Sequence, residues 1–583
     1  MEKLNIKDIN LINIPGFLKR MPYVIKFVEN ITGLNELNTF MSKHGDKYNF
    51  HFIDEVFDYL DFTFSFSIKD KEKIPSEGSL IIVSNHPSGG LDGLMLLRLV
   101  KEVRNDVKIV VNDKLFKLEN LKDLFLPLDI TDRKYQIKNI KTIGDSLKNN
   151  EVIIFFPAGE VSRFNSEGIK DKQWNEGIVK FSIKYNCPIL PVFIDAQNSY
   201  GFYLLSFINK KISEYFLIRE LLNKKSKSFK VKIGEQIPAG VFSNNRSNFK
   251  HDIKRLRKHT YLIGKDKTGI FRTEKNIIHP IRKNILKNEI SNCKILKETY
   301  DFKKILLTNM KESPNVIREI ARLREITFRK VGTGTGKKLD LDIYDGKYEH
   351  IVLWDENDLE IIGAYRIGIC KNIIDKDTIN GLYTSTLFNF SSLFIDLLPE
   401  SIELGRSFVQ SKYWNSNVLD YLWQGIGAFL NNNKNIKYMF GGVSLNNTYS
   451  QSAKELLVFF FQKWFGQYRI LANAKNKFTI SEKRVEVLLN IFSGDNFNLE
   501  MLELKSILRE YGYSIPTLFK HYSNLCDPGG VKFIDFTVDP HFKNSLDGLI
   551  FVEIDKIKDS KKNRYIKSSP KKEKNLKVEI VVE

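Results

Sequence analysis

SLIIVSNHPSGGLDGLMLLRLV, residues 79–100, contains the pattern that sets the fold of the first half of the chain. The apolar run SLIIVSN is typical of a short buried strand, and LDGLMLLRLVKEV (91–103) is typical of a helix. Between them lie a histidine, a proline, a serine and a Gly-Gly turn. A histidine therefore ends a predicted strand, and an aspartate follows the turn where the helix begins.

The alternation of strands and helices continues along the first half. Strand-like runs are VKIVVND (107–113), EVIIFFPAG (151–159), PILPVFID (188–195) and FKVKIGEQI (229–237), with helical patterns at 135–150 and 173–186. This order predicts an α/β domain with a mainly parallel sheet. In such sheets active sites gather at the carboxyl ends of the strands, where NHPSGGLD and FPAGEVS both lie.

The second half has a different organisation. The pairs of strand patterns at 350–368 and 532–555 surround helical patterns such as VLDYLWQGIGAFLNN, and a strand, SIELGRSFV, stands between them. This mixture predicts an α+β domain. We expect an N-terminal domain over 1–260, a basic connection without a buried strand over 261–313, and a C-terminal domain over 314–583.

Composition limits the classes of function. The chain has 583 residues, 42% of them hydrophobic, and a net charge of +20, which attracts polyanions: nucleic acid, anionic lipid or an acidic carrier protein. Its four cysteines are far apart, which argues against a disulfide framework or a thiolate metal site and favours a reducing cytosol. We expect no signal peptide, no spanning helix and no bound metal. No helix-turn-helix, zinc-finger or RNP-type motif is present, so nucleic acid is not an expected partner.

His86 and Asp92 are the first candidates for catalysis. An aspartate can hold one ring nitrogen of a histidine while the other nitrogen removes a proton from an attacking hydroxyl. Gly89 and Gly90 allow the tight turn and the close approach of substrate that this chemistry needs. The alternative is a histidine that only hydrogen-bonds within the fold.

Four ordered blocks resemble the glycerolipid acyltransferase superfamily, which includes the lysophosphatidate acyltransferases. They are NHPSGGLD, PLDITDRK, FFPAGEVS and ILPVFI, within about residues 75–240. The resemblance implies that His86 is the general base, that Asp92 orients it, and that the acyl donor is a thioester on acyl carrier protein or coenzyme A, with no bound cofactor. It places substrate-binding positions at Asn85, Gly89, Gly90, Arg133, Phe156, Pro157, Gly159, Glu160 and Ser162.

Two departures from the superfamily pattern change the expected acceptor. The spacer between His86 and Asp92 has five residues rather than four, and the second glycine can absorb the extra one. Ala158 and Val161 replace a glutamate and an arginine that help the family to handle a glycerol phosphate headgroup. An acceptor other than lysophosphatidate is therefore favoured.

In SIELGRSFV, Glu403 and Arg406 are three residues apart, which on a regular strand places them on opposite faces. The alternative without a functional role is a strand in which one of them is solvated and the other forms a structural ion pair. GTGTGKKLD (332–340) follows a helix and lacks the spacing of a phosphate-binding loop, so nucleotide hydrolysis is not predicted. A glycine helix stop with a flexible loop is favoured instead.

Several blocks between about 314 and 556 resemble the GNAT-like N-acyltransferases that transfer a 3-hydroxyacyl group to ornithine. They include RLREITFRKVGTGTGKKLDLDIYD, LEIIGAYRIG, LYTSTLF, ELGRSFV and YMFGGVS, and the Glu-x-x-Arg strand is also similar to that of acyl-homoserine lactone synthases. The resemblance implies that Glu403 positions or deprotonates the amine and that Arg406 acts at the thioester side. It places binding positions at Arg324, Glu325, Arg366 and Ser407.

The two halves together resemble the bifunctional ornithine lipid synthases. The resemblance implies that the C-terminal domain N-acylates ornithine and that the N-terminal domain then esterifies the hydroxyl of the lyso-ornithine lipid. Acyl carrier protein and an anionic membrane surface are the expected partners, at the cytoplasmic face of the inner membrane. The basic stretches 17–31 and 200–227 are candidates for peripheral membrane contact, or they are ordinary surface helices packed on the core.

Three alternatives remain. The chain is a lysophospholipid acyltransferase with a C-terminal acyl-carrier-binding module, or an aminolipid synthase that uses glycine or another amino acid. The third is a non-enzymatic basic protein bound to nucleic acid or membrane.

Overall fold

The structure is a computed structural model that divides into two compact units, Met1–His279 and Pro280–Glu583. It describes residues 29–128, 133–242, 248–414, 416–445, 448–466, 470–542 and 544–567. Most of the predicted membrane-contact stretch 17–31 lies outside these ranges.

The N-terminal unit is built on a seven-stranded sheet with the order β1-β9-β8-β2-β5-β3-β4. Every neighbouring pair is parallel except β8 with β9. Its strands, with a separate hairpin of β6 and β7, are β1 Thr63–Ser65, β2 Leu80–Ser84, β3 Val107–Val111, β4 Phe125–Pro127, β5 Val152–Phe155, β6 Arg163–Asn165, β7 Gly168–Lys170, β8 Ile189–Asp195 and β9 Ser228–Ile233. The predicted α/β fold with a mainly parallel sheet is confirmed.

Helices cover both faces of this sheet, because β2 and β5 are buried along their whole length and need apolar cover on each side. They are α1 Leu34–His44, α2 Asn49–Tyr59, α3 Ile68–Lys71, α4 Gly90–Lys101, α5 Asp113–Phe116, α6 Arg133–Lys148, α7 Gly177–Tyr185, α8 Tyr200–Ile208, α9 Lys210–Tyr215, α10 Leu217–Leu222 and α11 Phe249–Gly264. One apolar core lies on each face of the sheet. Because β2 and β5 are parallel neighbours, the loops that follow them emerge side by side.

The C-terminal unit is built on an eight-stranded sheet with the order β10-β11-β12-β13-β15-β16-β19-β18. All its pairs are antiparallel except β15 with β16, which pair in parallel over three positions only. Its strands, with β14 and β17 as a separate pair, are β10 Lys294–Glu298, β11 Lys304–Asn309, β12 Glu349–Asp355, β13 Glu360–Ile369, β14 Phe388–Phe390, β15 Ser401–Val409, β16 Tyr438–Leu445, β17 Ala472–Ala474, β18 Val531–Asp539 and β19 Ser545–Glu553.

The helices of the C-terminal unit complete an α+β architecture, as predicted. They are α12 Lys283–Ile290, α13 Pro314–Lys330, α14 Cys370–Asp377, α15 Ser392–Leu397, α16 Val418–Asn432, α17 Gln451–Phe465, α18 Glu482–Ile491, α19 Phe497–Glu510, α20 Thr517–Ser523 and α21 Asp559–Tyr565. Short 3₁₀ turns connect several of them.

The segment 261–313 differs from the predicted connection without a buried strand. The division between the units falls at His279/Pro280, and β11 is a buried strand that pairs with β12. The strand was not predicted because basic residues flank its apolar centre. Lys304, at the first position of β11, forms an ion pair with Glu356, while Ile305 and Leu306 are buried.

All four cysteines are buried and unpaired. None of the helices in the described ranges is both long enough and apolar enough to cross a membrane.

Candidate active sites

In the N-terminal unit, His86 and Asp92 form a hydrogen-bonded pair at the carboxyl end of β2. The Nδ1 atom of His86 lies 2.9 Å from Oδ2 of Asp92. The same oxygen accepts the backbone N–H groups of Ser88 at 2.8 Å and Gly89 at 3.0 Å. Asp92 is fully buried. The three hydrogen bonds hold its Oδ2 atom in place. With Nδ1 committed to Asp92, Nε2 is the ring nitrogen left to act on a substrate.

The five-residue spacer fits because of Gly89. Its φ of 101° and ψ of −129° are open to glycine and strained for other residues. This conformation turns the chain into α4, which begins at Gly90, and directs the Gly89 N–H at Asp92. The longer spacer therefore still allows the His–Asp contact.

The loop after β5 forms the wall beside the histidine. The rings of Phe156 and His86 are stacked, with centroids 4.0 Å apart. Further along this loop, the N–H of Ser162 donates to the carbonyl of His86 at 2.7 Å. Gly159 lies between Phe156 and Ser162 with a φ of 68°. The two loops are thus held together by backbone contacts, as expected for loops that leave neighbouring parallel strands.

Asn85 and Glu160 have structural partners in this site. The Asn85 amide donates to the carbonyl of Ile194 at 2.9 Å and accepts the N–H of Ile194 at 2.8 Å, which ties the end of β2 to β8. Glu160 forms ion pairs with Lys210 at 2.6 Å and Lys172 at 2.8 Å. Burial would raise the pKa of Glu160, but the hydrogen bonds from these lysines outweigh it and lower the pKa.

Asp171 is a residue of the site that the sequence did not reveal. Its Oδ1 accepts the hydroxyl of Ser162 at 2.5 Å and the N–H of His86 at 3.2 Å, and its Oδ2 accepts Nε1–H of Trp174 at 2.9 Å. Burial raises the pKa of this carboxyl group. Asp171 lies in GIKDKQW, where neighbouring charges conceal any sign of a buried role.

His86, Gly89 and Gly90 help to line a cavity of about 1220 Å³. It exceeds the roughly 300–1,000 Å³ that is usual for small-molecule sites. Most of its walls are apolar, including Phe40 and Val56 on one side of the sheet and further side chains on the other. Phe156, Pro157, Gly159 and Glu160 also line it.

Arg133 is the first residue of α6, and its side chain lies outside the described part of the structure. Its predicted role in binding therefore stays a prediction.

In the C-terminal unit, Glu403 lies where β15 and β16 stop pairing. Its carboxylate accepts the N–H of Thr384 at 2.7 Å, the N–H of Tyr383 at 3.1 Å and the hydroxyl of Tyr348. Burial raises the pKa of Glu403, although these donors favour its charged form.

Arg406 does not lie on the face opposite Glu403, as a regular strand would require. It has a φ of 49° and belongs to a bulge in which Arg406 and Ser407 together oppose Tyr365. Its guanidinium lies 4.6 Å from the ring centre of Tyr383, whose backbone N–H binds Glu403. The bulge therefore brings both predicted residues to one tyrosine.

Three arginines are paired with three aspartates in the same interior. Arg324 binds Asp345 at 2.8 Å and Asp340 at 3.0 Å. Arg366 binds Asp342 at 2.6 Å and Asp345 at 3.4 Å. Arg406 binds Asp342 at 3.3 Å and Asp340 at 3.4 Å. The binding roles predicted for these arginines stay predictions, and the sequence did not identify the aspartates in KKLDLDIYD as their partners.

Glu325 and Ser407 have other surroundings. The Glu325 carboxylate accepts the N–H of Thr335 at 3.0 Å and of Gly336 at 2.8 Å, so it fastens the GTGTG loop to α13. The Ser407 hydroxyl bonds with Tyr365, which belongs to the apolar core under α16. Neither residue joins the group around Glu403.

Two further buried carboxylates lie near Tyr383 and Arg406. The Tyr383 hydroxyl donates to Asp539 at 3.2 Å. Burial raises the pKa of Asp547 to about 6, with the charge of Asp539 adding to the effect, while Ser444 and Arg406 oppose it. Both aspartates lie on the β18–β19 hairpin, which the sequence predicted without a functional role.

The two units match two different acyltransferase families. The family described as "Acyltransferase" matches residues 12–268, and the family described as "Acetyltransferase (GNAT) domain" matches residues 323–424. The chain is 33% identical over 305 residues to a glycine N(alpha)-acyltransferase of Phocaeicola vulgatus, covering 50% of this chain and 93% of that protein. It is 31% identical over 233 residues to a lyso-glycine lipid O-acyltransferase of the same organism, covering 39% of this chain and 82% of that protein. The chain belongs to these acyltransferase families, one in each half.

Among solved structures, the 1-acyl-sn-glycerophosphate (LPA) acyltransferase from Thermotoga maritima aligns at 16% identity and a TM-score of 0.25. The alignment covers 45% of this chain and 88% of that one.

Proposed function

We propose that this chain is a bifunctional aminolipid synthase. Its C-terminal unit transfers a 3-hydroxyacyl group to the amine of an amino acid, and its N-terminal unit esterifies the hydroxyl of the resulting lyso-lipid. The observation that carries the proposal is the pairing in one chain of relatives named for N-acylation and for lyso-lipid O-acylation. The second step is supported by the hydrogen bond between His86 and Asp92 and by the large apolar cavity that His86 lines.

In the O-acylation step, Nε2 of His86 removes the proton from the acceptor hydroxyl as its oxygen attacks the thioester carbonyl carbon. Asp92, 2.9 Å from Nδ1, stabilises the imidazolium that forms. The tetrahedral intermediate then expels the thiolate, and the imidazolium returns the proton to the sulfur. An ester and a free thiol result.

In the N-acylation step, the amine nitrogen attacks the thioester carbonyl carbon, and Glu403 receives the proton that the amine must lose. The tetrahedral intermediate then expels the thiolate, which takes the proton from Glu403, and an amide and a free thiol result. A carboxylate of raised pKa is suited to this role because it is a stronger base than an ordinary glutamate. Arg406, beside Tyr383, acts at the thioester side. The pairing of β15 with β16 over three positions leaves Glu403 at the point where the two strands diverge.

Glycine is the first candidate amino acid, because both relatives are named for glycine or its lipid. Ornithine, predicted from the sequence, is the second. The buried carboxylates Asp539 and Asp547 favour ornithine, because its second ammonium group would need such partners. Glycine has no second ammonium group.

We propose acyl carrier protein or coenzyme A as the carrier of the acyl donor. A chain with a net charge of +20 favours encounters with an acidic carrier protein. The rival with lysophospholipid as acceptor is disfavoured by Val161, which is buried beside the catalytic loop and cannot bind a phosphate.

Expression of the full chain in cells that lack aminolipids, followed by lipid mass spectrometry, tests the proposal. We expect an acyloxyacyl amino acid lipid from the wild type, accumulation of the lyso-lipid from His86→Ala, and neither product from Glu403→Gln. The mass of the headgroup distinguishes glycine from ornithine. New phosphatidic acid without any aminolipid would contradict the proposal and support the rival.

A further inference from the structure

Helix α8, Tyr200–Ile208, presents an apolar face to the outside of the N-terminal unit. Four large side chains on it are mostly exposed: Tyr200 (87%), Leu204 (65%), Phe207 (82%) and Ile208 (73%). Their spacing of four, seven and eight residues from Tyr200 places them on one side of the helix. An exposed cluster of this kind marks an interaction site rather than ordinary surface.

The opposite side of α8 packs on the catalytic unit. Phe202 and Tyr203 are buried against Val161 and Leu217. Val161 and Leu217 also approach Gly89: a Cβ atom placed there would lie 3.6 and 3.7 Å from them. The exposed face is therefore one helix away from the loop that carries His86.

The surroundings of α8 point to a lipid bilayer as the occupant. The helix contains no charged residue, whereas residues 209–230 contain seven lysines and arginines against two glutamates. An apolar face beside a basic stretch is the chemistry that an anionic bilayer recognises. A protein partner or a second copy would more often meet a face with a polar rim.

We propose that α8 inserts its exposed face into an anionic bilayer and so holds the N-terminal unit on the membrane. The benefit of this docking rests on the proposed function, because the lyso-lipid would reach His86 directly from the bilayer. Lys210 links the helix to the site, since it follows α8 and pairs with Glu160 at 2.6 Å in the loop after β5.

The test uses the purified full chain and sedimentation with vesicles of phosphatidylethanolamine and phosphatidylglycerol. We expect the double variant Phe207→Ser, Ile208→Ser to lose about tenfold or more in partitioning, because two large apolar groups no longer leave water. Ile68→Ser is the matched control, since Ile68 is 81% exposed on the short helix α3, which is otherwise made of charged residues. We expect this variant to bind as the wild type does.

A direct readout places tryptophan at the same positions. Phe207→Trp should show emission shifted to shorter wavelength, and quenching by brominated lipid, when vesicles are added. Ile68→Trp should show neither. Equal sedimentation of the double variant and the wild type, or no quenching at position 207, would overturn the proposal. So would a double variant that changes only the oligomeric state measured by sedimentation velocity.

Acyl transfer is measured separately, with the lyso-lipid in detergent micelles and in vesicles. We expect the double variant to keep the micellar activity and to lose most of the vesicle activity. If the wild type binds vesicles but transfers no acyl group, the proposed function fails and the membrane inference stands. If it transfers acyl groups and the double variant works equally on vesicles, the membrane inference fails alone.

Discussion

Replacing Asp92 by asparagine isolates the charge of the His–Asp pair. In the asparagine variant the amide oxygen can take the place of Oδ2 and keep the bonds from Ser88, Gly89 and Nδ1 of His86. The amide NH₂ then takes the place of Oδ1, which has no hydrogen-bond partner among the residues that the structure describes. Geometry is thus largely preserved, while the negative charge is lost.

The size of the effect follows from the distance. With 2.9 Å between Nδ1 and Oδ2, the centres of charge of the imidazolium and the carboxylate are about 4 Å apart. At an effective dielectric constant of about 20 their attraction is about 4 kcal/mol, which corresponds to a fall of about 10³-fold in kcat when it is lost from the transition state.

The assay is O-acyl transfer to the lyso-lipid by the purified chain, with N-acylation in the same preparation as the control for folding. We expect Asp92→Asn to lose O-acylation and keep N-acylation. Asp195→Asn, at the exposed end of β8, is the matched control and should retain both. A loss of less than tenfold in O-acylation, with the protein folded, would refute the role of the Asp92 charge.

Three further predictions concern particular residues. Gly89→Ala should lower the folding stability by ~1–3 kcal/mol, because Gly89 has a φ of 101°, and it should reduce O-acylation. Gly240→Ala, with open space around its Cβ position, is the control and should change neither. Equal thermal unfolding of the two variants would contradict this prediction. Glu403→Gln should reduce N-acylation by about 10²-fold or more and should remove the rise in rate as pH passes upward through the raised pKa of Glu403. Glu400→Gln, at the edge of β15, is the control. A pH profile that Glu403→Gln leaves unchanged would exclude the role of Glu403 as the base. The raised pKa of Asp547 means that the folded state holds its proton more tightly than the unfolded state, so its contribution to stability is present below pH 3.8 and is lost as pH rises to about 6. As pH rises between these limits, the stability of Asp547→Asn should therefore increase relative to that of the wild type by on the order of 3 kcal/mol. Free energies of unfolding that change with pH in the same way for both proteins would contradict the prediction.

In the N-terminal site, the contact between His86 and Asp92 was predictable because the two residues are close in sequence. His86 and Asp92 flank one turn, and a turn between a strand and a helix fixes their separation within narrow limits. Asp171 was not predictable, because it reaches His86 and Ser162 only after a hairpin returns the chain to the loop.

The C-terminal site was predictable only in part. Strand alternation assigns Glu403 and Arg406 to opposite faces. The sequence SIELGRSFV does not indicate the bulge that brings them together. The partners of the arginines come from a different loop, and Asp539 and Asp547 come from a hairpin more than a hundred residues further along the chain.

The sequence by itself determined the two fold classes and the His–Asp pair, because hydrophobic periodicity and short-range spacing are local properties of a chain. The order of the transferase halves followed from the resemblance of its motifs to known families. The tertiary structure alone decided which charges are neighbours, which helix keeps its apolar face outside, and where the units divide. Those features depend on contacts between residues far apart in the chain. Burial in the folded chain then shifts the pKa values of the charged groups. Glu403 shows both levels: it belongs to one strand, whereas its raised pKa comes from burial by residues of other segments.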